Sequence, residues 1–300
     1  MRVFVVATLL SAVVLLAILS RAVVGRAAGS ARIVLRVSNW GSPAVESGFM
    51  TLEREIREEF EQMHPGVRVQ FEQIPGFGQY APKLLMMHVS GSVPDVIALD
   101  ASSAAVFIDN GVVRDLAPLV AEDPEFRLAD YFERVVQIFR RDQRVYSIPL
   151  DFTPMMMYYN RRLFDAAGVP YPQRGWTWDE FLHAAQRLTI PADQPGAPPR
   201  QYGMYFMNVM PFWVPWLWTN GGDVLDPTGH QATGNFDGPR SVAAMQFLTD
   251  LMLTHHVAPT IDEGKAAGVD LFRSGRAAMD VKGHWMMIDY QAEGLDFGVV

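Results

Sequence analysis

The chain has 300 residues and no cysteine, which excludes both a disulfide framework and the thiol acylation that anchors bacterial lipoproteins. Its formal net charge of −8 argues against a nucleic-acid partner, because phosphate contacts require a basic surface. A hydrophobic content of 49% is that of a globular protein with a large core, and the length favours two lobes over one.

An apolar segment opens the chain, running from Val3 to Leu19 between Arg2 and Arg21. Small residues follow at 25–29, so residues 1–29 are predicted to be a secretory signal peptide. An uncleaved N-terminal anchor is the alternative, since the apolar run is only slightly short for a membrane span. Removal of residues 1–27 would delete three arginines and no acidic residue, which changes the formal charge from −8 to −11.

The first predicted elements alternate between strand and helix. Extended apolar runs occur at 33–37, 67–71 and 95–99, and apolar residues with helical spacing occupy 49–63 and 80–89. This order predicts a parallel α/β sheet. Ligands of such sheets bind beyond the carboxyl ends of the strands, so Trp40 and residues 100–103 are expected at the site.

The pattern changes near residue 145. Extended apolar runs at 145–150 and 155–159 flank Asp151, and we interpret them as a crossing between two lobes. Thr177 and Glu180 form a capping-box pattern, which predicts a helix through Leu188. The later elements expected are helices at about 239–255 and 264–273 and a strand at 277–281.

Tryptophan is the strongest functional signal in the sequence. The candidates lie in glycine-containing turns or in the proline-rich segment 210–223, and they are Trp40, Trp213, Trp216, Trp218 and Trp285. Indole faces pack against the apolar faces of sugar rings, while nearby carboxylates accept hydrogen bonds from the hydroxyls. A core position is an equally good interpretation for any one of them, and Trp178, inside a helix cap, is expected to be a packing anchor.

Five segments carry a resemblance to a known family. They are Val93–Leu99; Ser147–Asp151 with Met157–Asn160 and Leu163–Phe164; Thr177–Phe181; Trp218–Gly222; and Phe272–Met279 through Gly283–Trp285. Together, in this order and spacing, they resemble the family 1 extracellular solute-binding proteins, which include the maltose- and glycerol-phosphate-binding proteins of ABC importers.

The resemblance implies an α/β fold, the two-lobed type II architecture of periplasmic binding proteins with a ligand crevice between the lobes. Lobe 1 would comprise residues 30–148 plus 281–300, and lobe 2 residues 149–280. Proteins of this family run roughly a hundred residues further, so the closing segments of lobe 2 are expected after residue 300.

The resemblance also implies which residues face the solute. These ligand-binding positions are Trp40, Asp100, Asp151, Trp213, Trp216, Gly283 and Trp285. Within the tryptophan cluster, Trp213 and Trp216 are preferred to Trp218, because Trp218 adjoins the turn at 220–222 and is expected to pack beneath it.

The function implied is the substrate-binding component of an ABC importer, which captures a carbohydrate by hinge closure and delivers it to the transmembrane subunits of a permease. A monomer is expected in the periplasm, or at the cell surface if the apolar segment remains as an anchor. No cofactor or metal is expected.

Three other functions stay open at this point. Glycerol 3-phosphate or another polar solute could replace the sugar, although an anion site would need several converging basic groups. A secreted carbohydrate-active enzyme could use Asp100 and Asp151 as its carboxyl pair, but the sequence has no cysteine nucleophile, Gly-x-Ser-x-Gly elbow or His-Glu-x-x-His motif. An exported structural protein is the third.

Overall fold

The computed structural model describes residues 33–40, 48–194, 196–229 and 231–300, with the backbone only at 48–51. The predicted signal segment, residues 1–29, lies outside these ranges. Contacts divide the chain between Phe152 and Thr153 into two compact units, which we call unit 1 and unit 2.

Unit 1 contains a parallel sheet. Its strands β1 (Ile33–Trp40), β2 (Val67–Ile74) and β3 (Val96–Ile97) lie in the order β2-β1-β3, and Trp40 pairs with Ile74 at the carboxyl end of the register. Because all three strands run in the same direction, their carboxyl ends meet at one edge of the sheet. The predicted parallel sheet is therefore present, with β1 three residues longer than expected.

Helices of unit 1 bury the apolar stripes seen in the sequence. Helix α1 (Gly48–Met63) places Phe60 against Leu35, Val67 and Val69 of the sheet, and α2 (Phe77–Val89) buries Tyr80 and Leu84 with Ile74. The shorter elements are α3 (Ala104–Asp109), α4 (Ala117–Glu122), α5 (Glu133–Ile138), and the two-residue strands β4 (Arg140–Arg141) and β5 (Arg144–Val145).

Unit 2 is built on a mixed four-stranded sheet in the order β7-β8-β6-β9. The strands are β6 (Met155–Asn160), β7 (Tyr202–Tyr205), β8 (Ala277–Gly283) and β9 (Phe297–Val299). Strand β6 runs antiparallel to β8 and β9, whereas β7 and β8 are parallel. All seven residues of β8 are buried, so this strand lies at the centre of the unit.

Six helices are described in unit 2, and two of them open with a capping box. They are α6 (Arg161–Ala167), α7 (Trp178–Leu188), α8 (Met210–Thr219), α9 (Pro239–Leu253), α10 (Ile261–Ala266) and α11 (Met286–Ala292). The capping box predicted at Thr177 and Glu180 is present, and a second one at Thr260 opens α10. The helix expected at 264–273 is thus earlier and shorter, and the chain turns at Gly268, whose φ is 64°.

One placement in unit 2 differs from the sequence-based expectations. Residues 281–300 were predicted to return to the first lobe, but β8 and β9 pair with β6 inside unit 2. Segment 210–219 forms a helix that contains two prolines: Pro211 occupies the first turn, where no backbone N–H is needed, and Pro215 lies inside the helix.

The main core of unit 2 joins α7, α8 and α9 to the sheet. Its buried members include Phe181, Leu188, Trp216, Leu248 and Met279. Within the described ranges, no helix is long and apolar enough to cross a membrane.

Candidate functional site

In unit 1, Trp40 ends β1 at the carboxyl edge of the parallel sheet. Its indole is 37% exposed and makes edge-on contacts with Phe77 and Tyr80, each at 5.5 Å between ring centroids. Tyr80 is buried and donates a hydrogen bond from its hydroxyl to the Ser38 carbonyl at 2.8 Å. Phe77 is 45% exposed, so Trp40 and Phe77 together present an apolar surface that a ring can stack against.

Sequence reasoning missed Phe77, although a signal was available. Phe77 follows Gly76, which has a φ of 85°, and it is the first residue of α2. A glycine turn after a parallel strand places the next residue at the carboxyl edge of the sheet, where ligands of such sheets bind.

A buried carboxyl group links the ends of β1 and β2 beside Trp40. Glu53 of α1 accepts hydrogen bonds from the side-chain amides of Asn39 and Gln73, the latter at 3.5 Å. Burial raises the pKa of the Glu53 carboxyl above its ordinary value, and the two amide donors oppose this shift. Glu53 therefore links Asn39 and Gln73, which precede the last residues of β1 and β2.

Asp100 follows β3 at the same edge of the sheet, as predicted. Its Oδ1 accepts hydrogen bonds from the backbone N–H groups of Ser102 at 2.9 Å and Ser103 at 3.2 Å, and its Oδ2 accepts one from the Ser103 hydroxyl at 2.6 Å. The Ser102 hydroxyl also contacts Oδ1. Asp100 therefore shapes the turn that leads into α3, and its role as a ligand contact stays a prediction.

Asp151 immediately precedes Phe152, which belongs to a second exposed aromatic pair. Phe132 and Phe152 pack edge to face at 5.0 Å, and both are more than half exposed. Desolvation raises the pKa of the Asp151 carboxyl above its ordinary value, although the residue as a whole is solvent-accessible. A carboxyl group next to exposed aromatic rings suits hydroxyl recognition, and neither phenylalanine was singled out from the sequence.

In unit 2, Trp285 lies two residues after the end of β8 and is 47% exposed. Its indole lies against Gly283: a β-carbon built on this glycine would lie 1.8–2.4 Å from three atoms of the ring. Gly283 itself is buried. The two predicted positions therefore have different roles, because Gly283 provides the space in which the Trp285 ring sits.

Backbone contacts hold this turn in place. The His284 N–H donates to the Thr153 hydroxyl at 3.0 Å and to the Pro154 carbonyl at 3.2 Å, and the Tyr158 hydroxyl donates to the Gly283 carbonyl at 3.1 Å. Burial is the main cause that raises the pKa of Tyr158 to about 12, so its hydroxyl stays a donor at neutral pH. The turn that carries Trp285 is thus fixed to the start of β6.

The side of Trp285 that faces the protein rests on an aromatic and charged cluster. Buried Phe212 contacts the indole edge to face at 6.5 Å. The Lys282 ammonium lies 5.8 Å from the centre of the Phe212 ring and 5.3 Å from that of Tyr205. These distances are within the range of cation–π attraction.

The tryptophans of α8 divide according to the face of the helix on which they lie. Trp216 is 7% exposed and packs against Phe181 and Phe247 in the core, which corrects its prediction as a ligand-facing residue. The reason is helical spacing, since Trp216 lies four residues after Phe212 on the buried face. Trp213 is partly buried and contacts Phe236 at 6.0 Å.

Trp218 was expected to pack beneath a turn, yet it is 55% exposed and donates its indole N–H to Asp223 at 3.0 Å. Trp178, by contrast, is the packing anchor that its helix-cap position predicted. It stacks on Phe247 at 4.5 Å and donates its indole N–H to Thr219.

The fold is α/β, and exposed indoles lie after the strand ends in both units, at Trp40 in unit 1 and Trp285 in unit 2. Residues 43–300 match the family model of the bacterial extracellular solute-binding proteins, and the chain belongs to this family. The predicted family and α/β class are thereby confirmed, and so is export.

Curated relatives agree with this membership. The arabinooligosaccharide-binding protein of Halalkalibacterium halodurans is 26% identical over 199 residues, which are 63% of this chain and 40% of the relative. The maltotriose-binding protein of Pyrococcus abyssi is 22% identical over 244 residues, 81% of this chain and 49% of the relative. The chain thus spans about half the length of such relatives.

Solved structures share the fold. An ABC substrate-binding protein from Listeria monocytogenes in complex with cycloalternan superposes with a TM-score of 0.77 at 25% identity, over 89% of this chain and 66% of that one. The GacH receptor of Streptomyces glaucescens gives a TM-score of 0.71 at 23% identity over the same shares. The family and these neighbours are binding proteins and not enzymes.

Proposed function

We propose that this chain is the substrate-binding component of an ABC importer, which captures a mono- or oligosaccharide and delivers it to a membrane permease. The observation that carries the proposal is the Trp285 indole, half exposed and held by Gly283, with a face available for stacking. The exposed Trp40 and Phe77 surface of unit 1 supports the same ligand class.

Relatives support a saccharide as the solute. The proteins named above bind arabinooligosaccharide and maltotriose by name, and the Listeria neighbour was solved with cycloalternan. All three ligands combine ring faces with many hydroxyl groups, which is the chemistry that indoles next to carboxyl groups recognise.

A neutral saccharide is favoured over an anion such as glycerol 3-phosphate. Lys282 is a cationic side chain next to the Trp285 turn, and its ammonium lies 3.6 Å from Asp280 and 3.8 Å from Asp270. A cation already held by two carboxyl groups is a poor phosphate partner, because binding an anion would require breaking these contacts.

The proposal involves no catalysis. Recognition of hydroxyls uses the same carboxyl groups as glycoside hydrolysis, but hydrolysis needs a proton donor and a second carboxylate on opposite sides of the scissile bond. Asp100, the second member of the pair that an enzyme would use, accepts hydrogen bonds from Ser102 and Ser103. Turnover of a saccharide that the purified protein binds would contradict this part of the proposal.

The proposed protein acts as a monomer in the periplasm, or at the cell surface if the N-terminal apolar segment is retained. Membrane fractionation combined with intact-mass measurement separates these cases, because cleavage removes about 29 residues. Transport energy would come from a separate ATPase.

A thermal-shift screen tests the ligand class. The panel contains monosaccharides, linear maltooligosaccharides and arabinooligosaccharides, with glycerol 3-phosphate and glycerophosphocholine as phosphate-containing members. A ligand at about a hundredfold its Kd stabilises the folded state by about 2.7 kcal/mol, which raises the Tm by several degrees. A rise with saccharides alone, verified by calorimetry, supports the proposal. A rise with the phosphate-containing members alone would contradict it.

A further inference from the structure

We infer that Lys282 is a positioning residue that sets the orientation of the Trp285 indole through Phe212. The inference rests on the proposed function, because it gives the stacking surface a second support besides Gly283. It assigns a binding role to a buried charge that the sequence did not single out.

Lys282 is a buried cation with carboxyl partners on two segments of unit 2. Lys282 lies on β8, and the whole residue is 6% exposed. The ammonium contacts Asp280 of the same strand at 3.6 Å and Asp270, which precedes β8, at 3.8 Å. These contacts fix the position of the ammonium, since a buried charge without a partner would cost several kcal/mol.

Asp280 depends on this cation. The residue is fully buried, and neither carboxyl oxygen has a hydrogen-bond partner among the described residues. Burial raises the pKa of Asp280 well above its ordinary value, while the Lys282 charge opposes the shift and Asp270 adds to it. Loss of the ammonium would leave two acidic groups facing each other beneath the Trp285 turn.

The same ammonium reaches the aromatic support of Trp285. It lies 5.3 Å from the centre of the Tyr205 ring and 5.8 Å from that of Phe212. Phe212 meets the indole of Trp285 edge to face at an interplanar angle of 84°. The indole is therefore confined by Gly283 on one part of its surface and by Phe212 on another, and Lys282 holds Phe212 in place.

Two variants test whether Lys282 positions the Trp285 indole or only neutralises the charge of Asp280. Lys282→Met keeps the length of the side chain and removes the charge, but it leaves Asp280 without its cation. The double variant Asp280→Asn with Lys282→Met removes the charges of Lys282 and of the fully buried Asp280, and serves if the single variant fails to fold. Asp270 also loses its cation, but its side chain is 22% exposed to solvent. Lys265→Met, on the exposed surface of α10, is the matched control.

The expected result is a saccharide affinity at least about tenfold lower in the double variant, with a Tm close to that of the unmodified protein and no loss in Lys265→Met. In a Trp285→Ala background the same double change should alter affinity less than about twofold, because its effect passes through the indole. Unchanged affinity in the double variant, or an equal loss without Trp285, would overturn the inference.

A ligand-free measurement keeps this test independent of the proposed function. Acrylamide quenching of Trp285 is obtained as the difference between each protein and its Trp285→Phe counterpart. The double variant should change this quenching, because an indole without its support is more accessible, whereas unchanged quenching would overturn the inference. If the unmodified protein binds no saccharide, the proposed function fails, and the quenching result still decides the role of Lys282.

Discussion

At the scale of single residues, Trp285 is the side chain on which the proposed site depends most. Replacement by alanine should weaken saccharide binding by at least about tenfold, because a stacked aromatic surface is lost. The effect on the unfolding free energy should be small, since the residue is half exposed. Titration calorimetry measures the affinity. Trp218→Ala is the matched control, an exposed tryptophan outside the proposed site, and equal losses in both variants would contradict a specific role for Trp285.

Gly283 gives a second prediction at this scale. Gly283→Ala places a methyl group where the Trp285 ring lies, so the indole must move and overpacking should cost about 1–3 kcal/mol. We expect an affinity loss comparable to that of Trp285→Ala, measured by calorimetry, together with a lower Tm. In a Trp285→Ala background the glycine change should lower the Tm less. Gly66→Ala, where no atom lies within 4 Å of the added carbon, is the control.

Glu53 makes stability depend on pH. Burial raises the pKa of its carboxyl, so the folded protein holds this proton more tightly than the unfolded chain does. Its stabilising contribution is therefore present in acid and is lost as the pH rises through the pKa of the folded state. Glu53→Gln removes this titration.

Urea denaturation at about pH 4 and about pH 7 tests this sign. The unfolding free energy of Glu53→Gln relative to the unmodified protein should be higher at the neutral pH than in acid. Glu59→Gln, exposed on the same helix, is the matched control. The same relative stability of Glu53→Gln at both pH values would mean that the carboxyl titrates alike in the folded and unfolded states.

At the scale of elements, helix α8 sorts its tryptophans by face. Trp216→Ala should lower the unfolding free energy by about 3–5 kcal/mol, because it opens a cavity among Phe181 and Phe247. Trp218→Ala, two residues further on the exposed face, should change it by about 0.5 kcal/mol or less. Chemical denaturation measures both values, and comparable losses would show that the two indoles are not on different faces in solution.

The order of the strands and helices along the chain explains why the sequence predicted the fold of unit 1 better than that of unit 2. Strands and helices of unit 1 alternate, and the alternation alone predicts a parallel sheet with its ligand edge at Trp40 and Asp100. In unit 2 the neighbours of β8 are distant in the sequence, β6 and β7, and local patterns carry no information about such pairing. The placement of residues 281–300 was wrong for this reason.

At the scale of the whole molecule, the hinge closure that the family resemblance implies is a testable prediction. Saturating saccharide should reduce the radius of gyration measured by small-angle X-ray scattering, because ligand contacts stabilise a closed form. The Trp285→Ala variant at the same saccharide concentration is the control, and it should contract less. A radius of gyration unchanged by a saccharide that binds would contradict capture by hinge closure.

The sequence by itself determined the family, the α/β class and the export of this protein, because these depend on ordered motifs, alternation of elements and the N-terminal pattern. It also identified Trp40, Asp151 and Trp285 as candidates for the site, since turn residues can be recognised from the local sequence. Only the tertiary structure decided that Trp216 belongs to the core, that Gly283 makes room for an indole, and that Lys282 joins two acids to the aromatic support of Trp285. Burial and contact arise between residues far apart in the chain, and no local pattern contains them.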